Sequence, residues 1–162
     1  MAAQPDGSLQ PLGGPSNPPP VASLFWEATG VAAPGALLPR GAHDTFCVPG
    51  ASAGDWLLTA LRAKGLSVRE YTECASFWAP LFAEHAFVVI RLVPQQQWEA
   101  VAPLAVTGLP AAATRTLRVF VAWRGVQAFS AAANQGSLPG EAPIRHPGEN
   151  WIVEWGGQEC SR

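Results

Sequence analysis

Residues 86–93 are the segment that most constrains the fold of this chain. Their sequence, AFVVIRLV, is apolar except for one arginine, is rich in β-branched residues and is followed by Pro94. Such a run is typical of a central β-strand that is covered on both faces of its sheet. Residues 116–123, TLRVFVAW, predict a second strand, which ends at the Arg-Gly pair of 124–125. A β-sheet is therefore expected at the centre of the fold.

A helix is predicted over residues 52–64, because apolar side chains recur there at helical spacing. Ser52 and Asp55 have the spacing of a capping box, in which each side chain satisfies a free backbone N–H at the start of a helix. Gly65 suits the left-handed backbone position directly after the last helical turn. Both ends of this helix are thus marked in the sequence.

Apolar and polar residues alternate over 66–73, which predicts a strand, and residues 45–48 predict another. Residues 74–85 are interpreted as an apolar connection with some helical character. A second helix is expected to open at Pro94 and the glutamines, to continue through Trp98 and Val101, and to be weakened or ended by Pro103. The order of elements is then strand, helix, strand, strand, helix, strand. This order predicts an α+β fold of the ferredoxin-like split βαβ-βαβ type, with an antiparallel sheet and two helices on one face.

That order resembles the order of RNA-recognition-motif domains. The aromatic- and glycine-rich third strand of that family is absent, since residues 86–93 contain one aromatic residue and no glycine. The formal net charge is −2 and the isoelectric point is about 5.9. An acidic chain of this kind does not favour binding by neutralisation of phosphates, so RNA is the less favoured partner.

The chain is predicted to divide into a disordered Pro-rich leader, a docking segment with a linker, an α+β core domain, and a loop with a tryptophan-containing C-terminal segment. The leader contains 6 prolines among Gly, Ser and Asn, a composition that favours extended backbone over a packed core. In chain order these four parts are residues 1–22, 23–43, 44–129 and 130–162.

Two segments outside the predicted core are expected to dock on it. The chain has 7 tryptophans, and an indole ring at a docking contact buries its apolar body while its N–H finds a partner. Phe25 and Trp26 belong to the first of these segments. Trp151 and Trp155 belong to the second, whose alternating pattern predicts a strand that adds to the edge of a sheet.

The sequence favours an intracellular, reducing compartment, and we expect a cytoplasmic protein. The first ten residues contain neither the basic region nor the apolar run of a secretory signal, and no apolar window is long enough to span a membrane. The 3 cysteines are an odd number and lie far apart, which does not fit a disulfide scaffold. No contact with a membrane is predicted.

In a ferredoxin-like fold, the face of the sheet that carries no helix is open. Alternation along three strands assigns one arginine and one aromatic residue of each to that face. We call this set the Arg/aromatic face; its members are Arg69, Tyr71, Phe87, Arg91, Arg118 and Phe120.

Arginine with tyrosine or phenylalanine is typical of the energetic centre of protein interfaces. The Arg/aromatic face therefore predicts a non-enzymatic protein-interaction module that binds a protein partner, such as a regulatory, adaptor or inhibitor-like subunit; a homo-oligomer is compatible with it. The alternative is single-stranded RNA stacked on the same rings. A third interpretation is that segments of the chain itself cover the face, with its arginines paired to Glu70, Glu73 or Glu154.

A further alternative is a small cysteine-dependent enzyme, in which His85 activates Cys47. Cys47 lies inside a predicted strand, where a buried structural cysteine is the ordinary interpretation. His43, Cys47, Cys74 and His85 lack the paired spacing of a zinc site. We therefore predict no catalytic residue, no metal and no cofactor.

Overall fold

The computed structural model separates into two units, Met1–Val31 and Ala32–Arg162. In the first unit, β1 (Ala2–Ala3) and β2 (Leu9–Gln10) form an antiparallel pair. Val21 extends this pairing by a single bridge to Leu9. The described residues are 2–3, 8–10, 19–27, 33–39, 43–109, 114–138, 142–143, 145–146 and 149–160.

The leader predicted to be disordered, residues 1–22, coincides with most of this first unit. Residues 1, 4–7 and 11–18 of it lie outside the described residues. Within the first unit, Phe25 and Trp26 of the predicted docking segment have exposed side chains.

The described residues of the second unit form four helices, four strands and one short 3-10 helix. In chain order these are α1 (Pro34–Leu37), β3 (Thr45–Pro49), α2 (Gly50–Ala63), α3 (Val68–Ala83), β4 (Phe87–Val93), α4 (Gln95–Val101), β5 (Thr114–Val126), the 3-10 helix (Ala131–Ala133) and β6 (Asn150–Glu159).

The four strands of this unit form one sheet in the order β3-β4-β5-β6. The pairs β3/β4 and β4/β5 are antiparallel, whereas β5/β6 is parallel. The fold is therefore α+β, as predicted, but its sheet is mixed. From β3 onwards, the helices and strands follow in the order β-α-α-β-α-β-β, in place of the predicted ferredoxin-like order.

The predicted strand over 66–73 is wrong, because residues 68–73 form the first turns of helix α3 and Ser67 is its N-cap. Ser67 and Glu70 form the capping box of that helix: the Ser67 hydroxyl accepts from the Glu70 N–H, and the Glu70 carboxylate accepts from the Ser67 N–H at 2.7 Å. Further along, the buried side chains of Cys74, Trp78 and Phe82 recur every four residues, which is close to the 3.6 residues of one α-helical turn. The alternation over 66–73 is too short to reveal that period.

Helix α2 confirms the predicted helix and its C-terminal stop. Gly65 has φ +93°, and the Leu66 N–H donates to the Leu61 carbonyl at 3.2 Å, which completes a Schellman motif. The start differs from the prediction: α2 begins at Gly50, and no side chain caps it. The capping box expected at Ser52 is therefore absent from this helix.

Helices α2 and α3 pack on one face of the sheet and form the main core with it. This face carries the β4 and β5 residues whose alternation predicted a core position. The buried members from these two strands are Val88, Ile90, Leu92, Leu117, Val119, Val121 and Trp123. The opposite face of the sheet faces α1 and α4, and it contains four members of the Arg/aromatic face.

Candidate functional site

The Arg/aromatic face is only partly assembled in the structure. Phe87 and Arg91 of β4 lie on the same side of the sheet as Arg118 and Phe120 of β5, since Arg91 pairs with Ala122 and two-residue steps along each strand keep to one face. Arg69 and Tyr71 are not part of the sheet, because they lie on helix α3. Alternation thus placed four of the six residues together.

Arg91 is buried in a network that attaches α1 to the sheet. Its Nε lies 2.8 Å from both carboxylate oxygens of Asp44, and its Nη1 donates to the Leu37 carbonyl at 2.9 Å and to Gln97 at 3.0 Å. The Gln97 amide in turn donates to the Ala36 carbonyl at 3.0 Å. These hydrogen bonds hold the guanidinium between Asp44, α1 and α4.

Arg118 has the same kind of environment nearer the other edge of the sheet. Its side chain is 2% exposed and forms an ion pair with Glu154 of β6, one of the three acidic partners considered from the sequence. Its Nη1 donates to the Ala102 carbonyl at 2.6 Å, and the guanidinium lies over the Trp98 ring at 5.7 Å. This arginine therefore joins β5 to β6 and to the end of α4.

The aromatic members of the same face are also occupied from within the chain. Trp98 of α4 stacks on Phe120 with ring centroids 3.7 Å apart, and Phe120 is buried. Phe87 contacts Phe129 edge-to-face at 6.1 Å. A base or a partner side chain would have to displace Trp98 to reach Phe120.

The two members on α3 differ from the rest. Arg69 is exposed and forms an i,i+4 ion pair with Glu73 at 3.3 Å, another pairing considered from the sequence. Tyr71 is half-buried and packs against the main core. These two residues therefore lie apart from the buried arginines of the sheet.

Cys47 and His85 lie on different faces of the sheet. Cys47 pairs with Val89, on the face opposite the main core, and its Sγ accepts from the Ser130 N–H at 3.4 Å. His85 lies against Trp123, a residue of the main core, with ring centroids 5.8 Å apart. This arrangement does not form the Cys–His pair that a thiolate nucleophile needs.

The three cysteines are buried free thiols. Burial raises the pKa of Cys74 to about 12 and raises that of Cys160, so both favour the unreactive protonated form. Within the described residues, no group of three or more His, Cys, Asp or Glu side chains is arranged to hold a metal ion. In the same part of the chain, no helix has the length and apolar character needed to cross a membrane.

Trp151 and Trp155 of the predicted docking segment lie in β6, the fourth strand of the sheet. Both are half-buried against the main core. Beside them, Arg145 lies over the Trp151 ring at 5.4 Å and makes a two-point ion pair with Glu70 of α3, with distances of 2.9 and 2.8 Å. Burial of the Glu70 carboxyl works to raise its pKa, but hydrogen bonds from Arg145 and Ser67 outweigh this effect. The pKa of Glu70 therefore lies below its ordinary value.

Strand β6 lies at the edge of the sheet, and among the described strands only β5 pairs with it. In a parallel pair of strands, every second residue directs both its N–H and its C=O towards the neighbouring strand. The Cys160 N–H donates to the Trp123 carbonyl at 2.6 Å, so the residues of β6 that direct these groups towards β5 are the even-numbered ones. The odd-numbered residues turn theirs away from the sheet. We call these outward groups the β6 edge; they belong to Trp151, Val153, Trp155, Gly157 and Glu159.

The two edges of the sheet are treated differently. At the β3 edge, the Thr45 carbonyl accepts from the N–H groups of Gln135 and Gly136 at 3.0 and 2.7 Å, and the Cys47 N–H donates to Asn134 at 3.1 Å. Among the described residues, no backbone hydrogen bond reaches the β6 edge. A loop thus binds the β3 edge, whereas the β6 edge is unpaired among the residues that the structure describes.

The sequence predicted an edge strand at 151–155. It did not reveal that this strand runs to Glu159 or that, within the described part of the chain, its outer side is unpaired. The sequence signal was the alternation of NWIVEW, which continues through two glycines that look like a turn. Whether an edge is free depends on the whole sheet order, so no local pattern reveals it.

No protein-family model, no curated protein and no solved structure matches this chain.

Proposed function

We propose that this chain is a non-enzymatic protein-interaction module that receives an extended segment of a protein partner along the β6 edge. The observation that carries this proposal is the contrast between the two edges of one sheet: residues 134–136 bind the β3 edge, whereas no backbone group of the described residues binds the β6 edge. An unpaired strand edge is complementary to one kind of ligand, the backbone of another extended chain.

The β6 edge is long enough for a specific contact. Strand β6 has ten residues, and five of them direct both backbone groups outwards. Each hydrogen bond formed there contributes about 0.5–1.5 kcal/mol net. The side chains of Trp151 and Trp155 flank the added strand and supply the apolar part of the contact.

The same observations favour this surface over the Arg/aromatic face. Arg91 and Arg118 are 8% and 3% exposed, and their partners are residues of the same chain. A partner that used them would have to break two ion pairs and lift α4 from the sheet. Trp98 already stacks on Phe120, and Cys47 and His85 lie on different faces of the sheet, so the β6 edge is preferred over single-stranded RNA and over a cysteine-dependent reaction.

The test uses affinity capture from a native extract with the full chain and a matched pair of variants at Val153. Val153→Pro removes one outward N–H from the middle of the β6 edge while keeping an apolar side chain, and proline is tolerated at such positions of edge strands. Val153→Ala loses packing but keeps the N–H. Circular dichroism shows whether each variant is folded.

We expect the wild type and Val153→Ala to capture the same protein and Val153→Pro to lose it, with and without nuclease. Capture that nuclease abolishes would support RNA as the ligand instead. Capture that all three proteins retain would place the binding surface elsewhere and overturn the proposal.

A further inference from the structure

The flank of α3 that lies above β6 carries exposed apolar side chains. Ala79 of α3 faces Gly54 of α2, where an added Cβ would lie 2.8 Å from the Ala79 methyl group. Glu70 lies on the opposite flank, since it binds Arg145, which lies over Trp151 of β6. The side of α3 that faces away from α2 therefore faces the β6 edge.

Phe77 and Leu81 lie on the same flank as Glu70. They follow Glu70 by seven and eleven residues, which are close to two and three turns of an α-helix. Their side chains are 50% and 36% exposed. We call this pair the α3 flank. The β6 edge and the α3 flank thus lie on one side of the second unit, an unpaired strand below and an apolar helix surface above.

We infer that the segment which completes the β6 edge is the β6 strand of a second copy of this chain, running antiparallel about a two-fold axis. This inference rests on the proposed function and names its partner. A single added peptide strand would cover the β6 edge but not the α3 flank. A second copy supplies both a strand and a helix flank at once, and a two-fold interface repeats each contact symmetrically.

The charges on β6 permit this pairing. Residues that direct their backbone groups outwards must pair with residues of the second copy that do the same. Trp155 can therefore lie opposite Trp155 of the second copy. In that register, Val153 faces Gly157, and Glu154 faces Gly156. No carboxylate then faces another across the axis, and Glu154 keeps its ion pair with Arg118. Gly156 and Gly157 add no side-chain bulk at the point where the two strands meet.

The pairing also gives the α3 flank a partner. With the axis perpendicular to the sheet, both α3 helices stand on the same face, one on each side of the axis. Phe77 and Leu81 of one copy then approach those of the other and leave water together. The two sheets become one continuous sheet that ends at the capped β3 edges.

The experiment is sedimentation velocity on the full chain over a range of concentrations, together with amide hydrogen exchange resolved for each residue of β6. We expect a dimer at high concentration. On dilution, the amides of Val153, Trp155 and Gly157 should lose protection, while those of Ile152, Glu154 and Gly156 stay protected by β5. This alternation is the signature of an edge that opens without unfolding.

Two exposed positions on α3 provide matched variants. Phe77→Glu places a charge on the α3 flank and should raise the dimer dissociation constant by about tenfold or more. Val68→Glu makes a similar change at a site 69% exposed on another side of the helix, and it should leave that constant unchanged. Equal effects of the two variants would overturn the role of the α3 flank.

A chain that is monomeric at every concentration overturns the second copy as partner. The proposed function would still stand if capture of another protein remained sensitive to Val153→Pro. A dimer whose outward β6 amides exchange freely, and which survives Val153→Pro, overturns the pairing through β6. The failure of the dimer and the failure of the β6 edge are therefore distinguishable.

Discussion

The Nε of Arg91 lies 2.8 Å from both carboxylate oxygens of Asp44, a residue 47 positions earlier in the chain. Arg91, which the sequence predicted to bind a partner, therefore makes an ion pair inside the chain. The Arg91 side chain is 10% exposed, whereas that of Asp44 is 46% exposed, so the cation depends on the pair more than the anion does. Removing Asp44 would leave a nearly buried guanidinium without its ionic partner.

We therefore expect Asp44→Ala to lower the free energy of unfolding by about 2 kcal/mol. Asp55→Ala, at an exposed position on α2, is the control and should change it by less than about 0.5 kcal/mol. Urea denaturation monitored by tryptophan fluorescence measures both. Equal values for the two variants would show that Asp44 does not stabilise the fold.

Arg118 and Arg69 provide a second comparison between members of the Arg/aromatic face. Arg118→Ala should destabilise the fold by about 3–5 kcal/mol, because it leaves the Glu154 carboxylate, 13% exposed, without its cation. Arg69→Ala breaks only a surface pair and should cost less than about 0.5 kcal/mol. If Arg118→Ala unfolds like the wild type in urea, the buried ion pair is not the structural contact described above.

The Glu70–Arg145 pair predicts a specific dependence of stability on pH. Because the folded pKa of Glu70 lies below its ordinary value, the pair contributes stability above the unfolded pKa of about 4.3, and this contribution is lost as pH falls through the folded pKa. Glu70→Gln should therefore be less stable than the wild type by about 1 kcal/mol at pH 7.

The difference between the wild type and Glu70→Gln should disappear in acid, below the folded pKa of the carboxyl. Thermal unfolding followed between pH 2 and 7 measures it, with Glu84→Gln at an exposed position as the control. A difference that persists unchanged in acid would mean that Glu70 acts through hydrogen bonds rather than through its charge.

Two glycines with positive φ allow the cost of backbone strain to be measured apart from the cost of a steric clash. Gly65 has φ +93° and Gly108 has φ +85°. A Cβ added at Gly65 would lie 2.9 Å from Pro143, whereas a Cβ added at Gly108 would have no neighbouring atom of the described residues within 4 Å. Gly108→Ala should cost about 1 kcal/mol from the backbone alone, and Gly65→Ala should cost more. Chemical denaturation of the two variants tests this order.

Local patterns predicted much of the sheet and one helix. The run at 86–93 and the alternation at 116–123 identified β4, β5 and the face that each side chain occupies, because a strand has a fixed period of two. Gly65 located the end of α2, because the positive φ of the helix stop favours glycine. These features depend on neighbours in the sequence.

The start of α3 shows where local patterns fail. Residues 66–73 alternate like a strand, yet the capping box of Ser67 and Glu70 is also present in the same eight residues. The burial of Trp78 and Phe82 against Trp123 favours the helix, and that contact joins residues some 40 positions apart.

By itself, the sequence determined that there would be a central sheet of apolar strands, a helix that ends at Gly65 and an alternation of arginine with apolar residues on one face. The apolar run at 86–93 indicated a strand that is covered on both faces. The prediction of an open Arg/aromatic face disagreed with that indication. Only the tertiary structure decided which face each remaining segment covers. Asp44 and Trp98 cover the arginines and Phe120, and β6 becomes the unpaired edge. The physical reason is that cover and free edges arise from contacts between residues far apart in the chain, which no local period encodes.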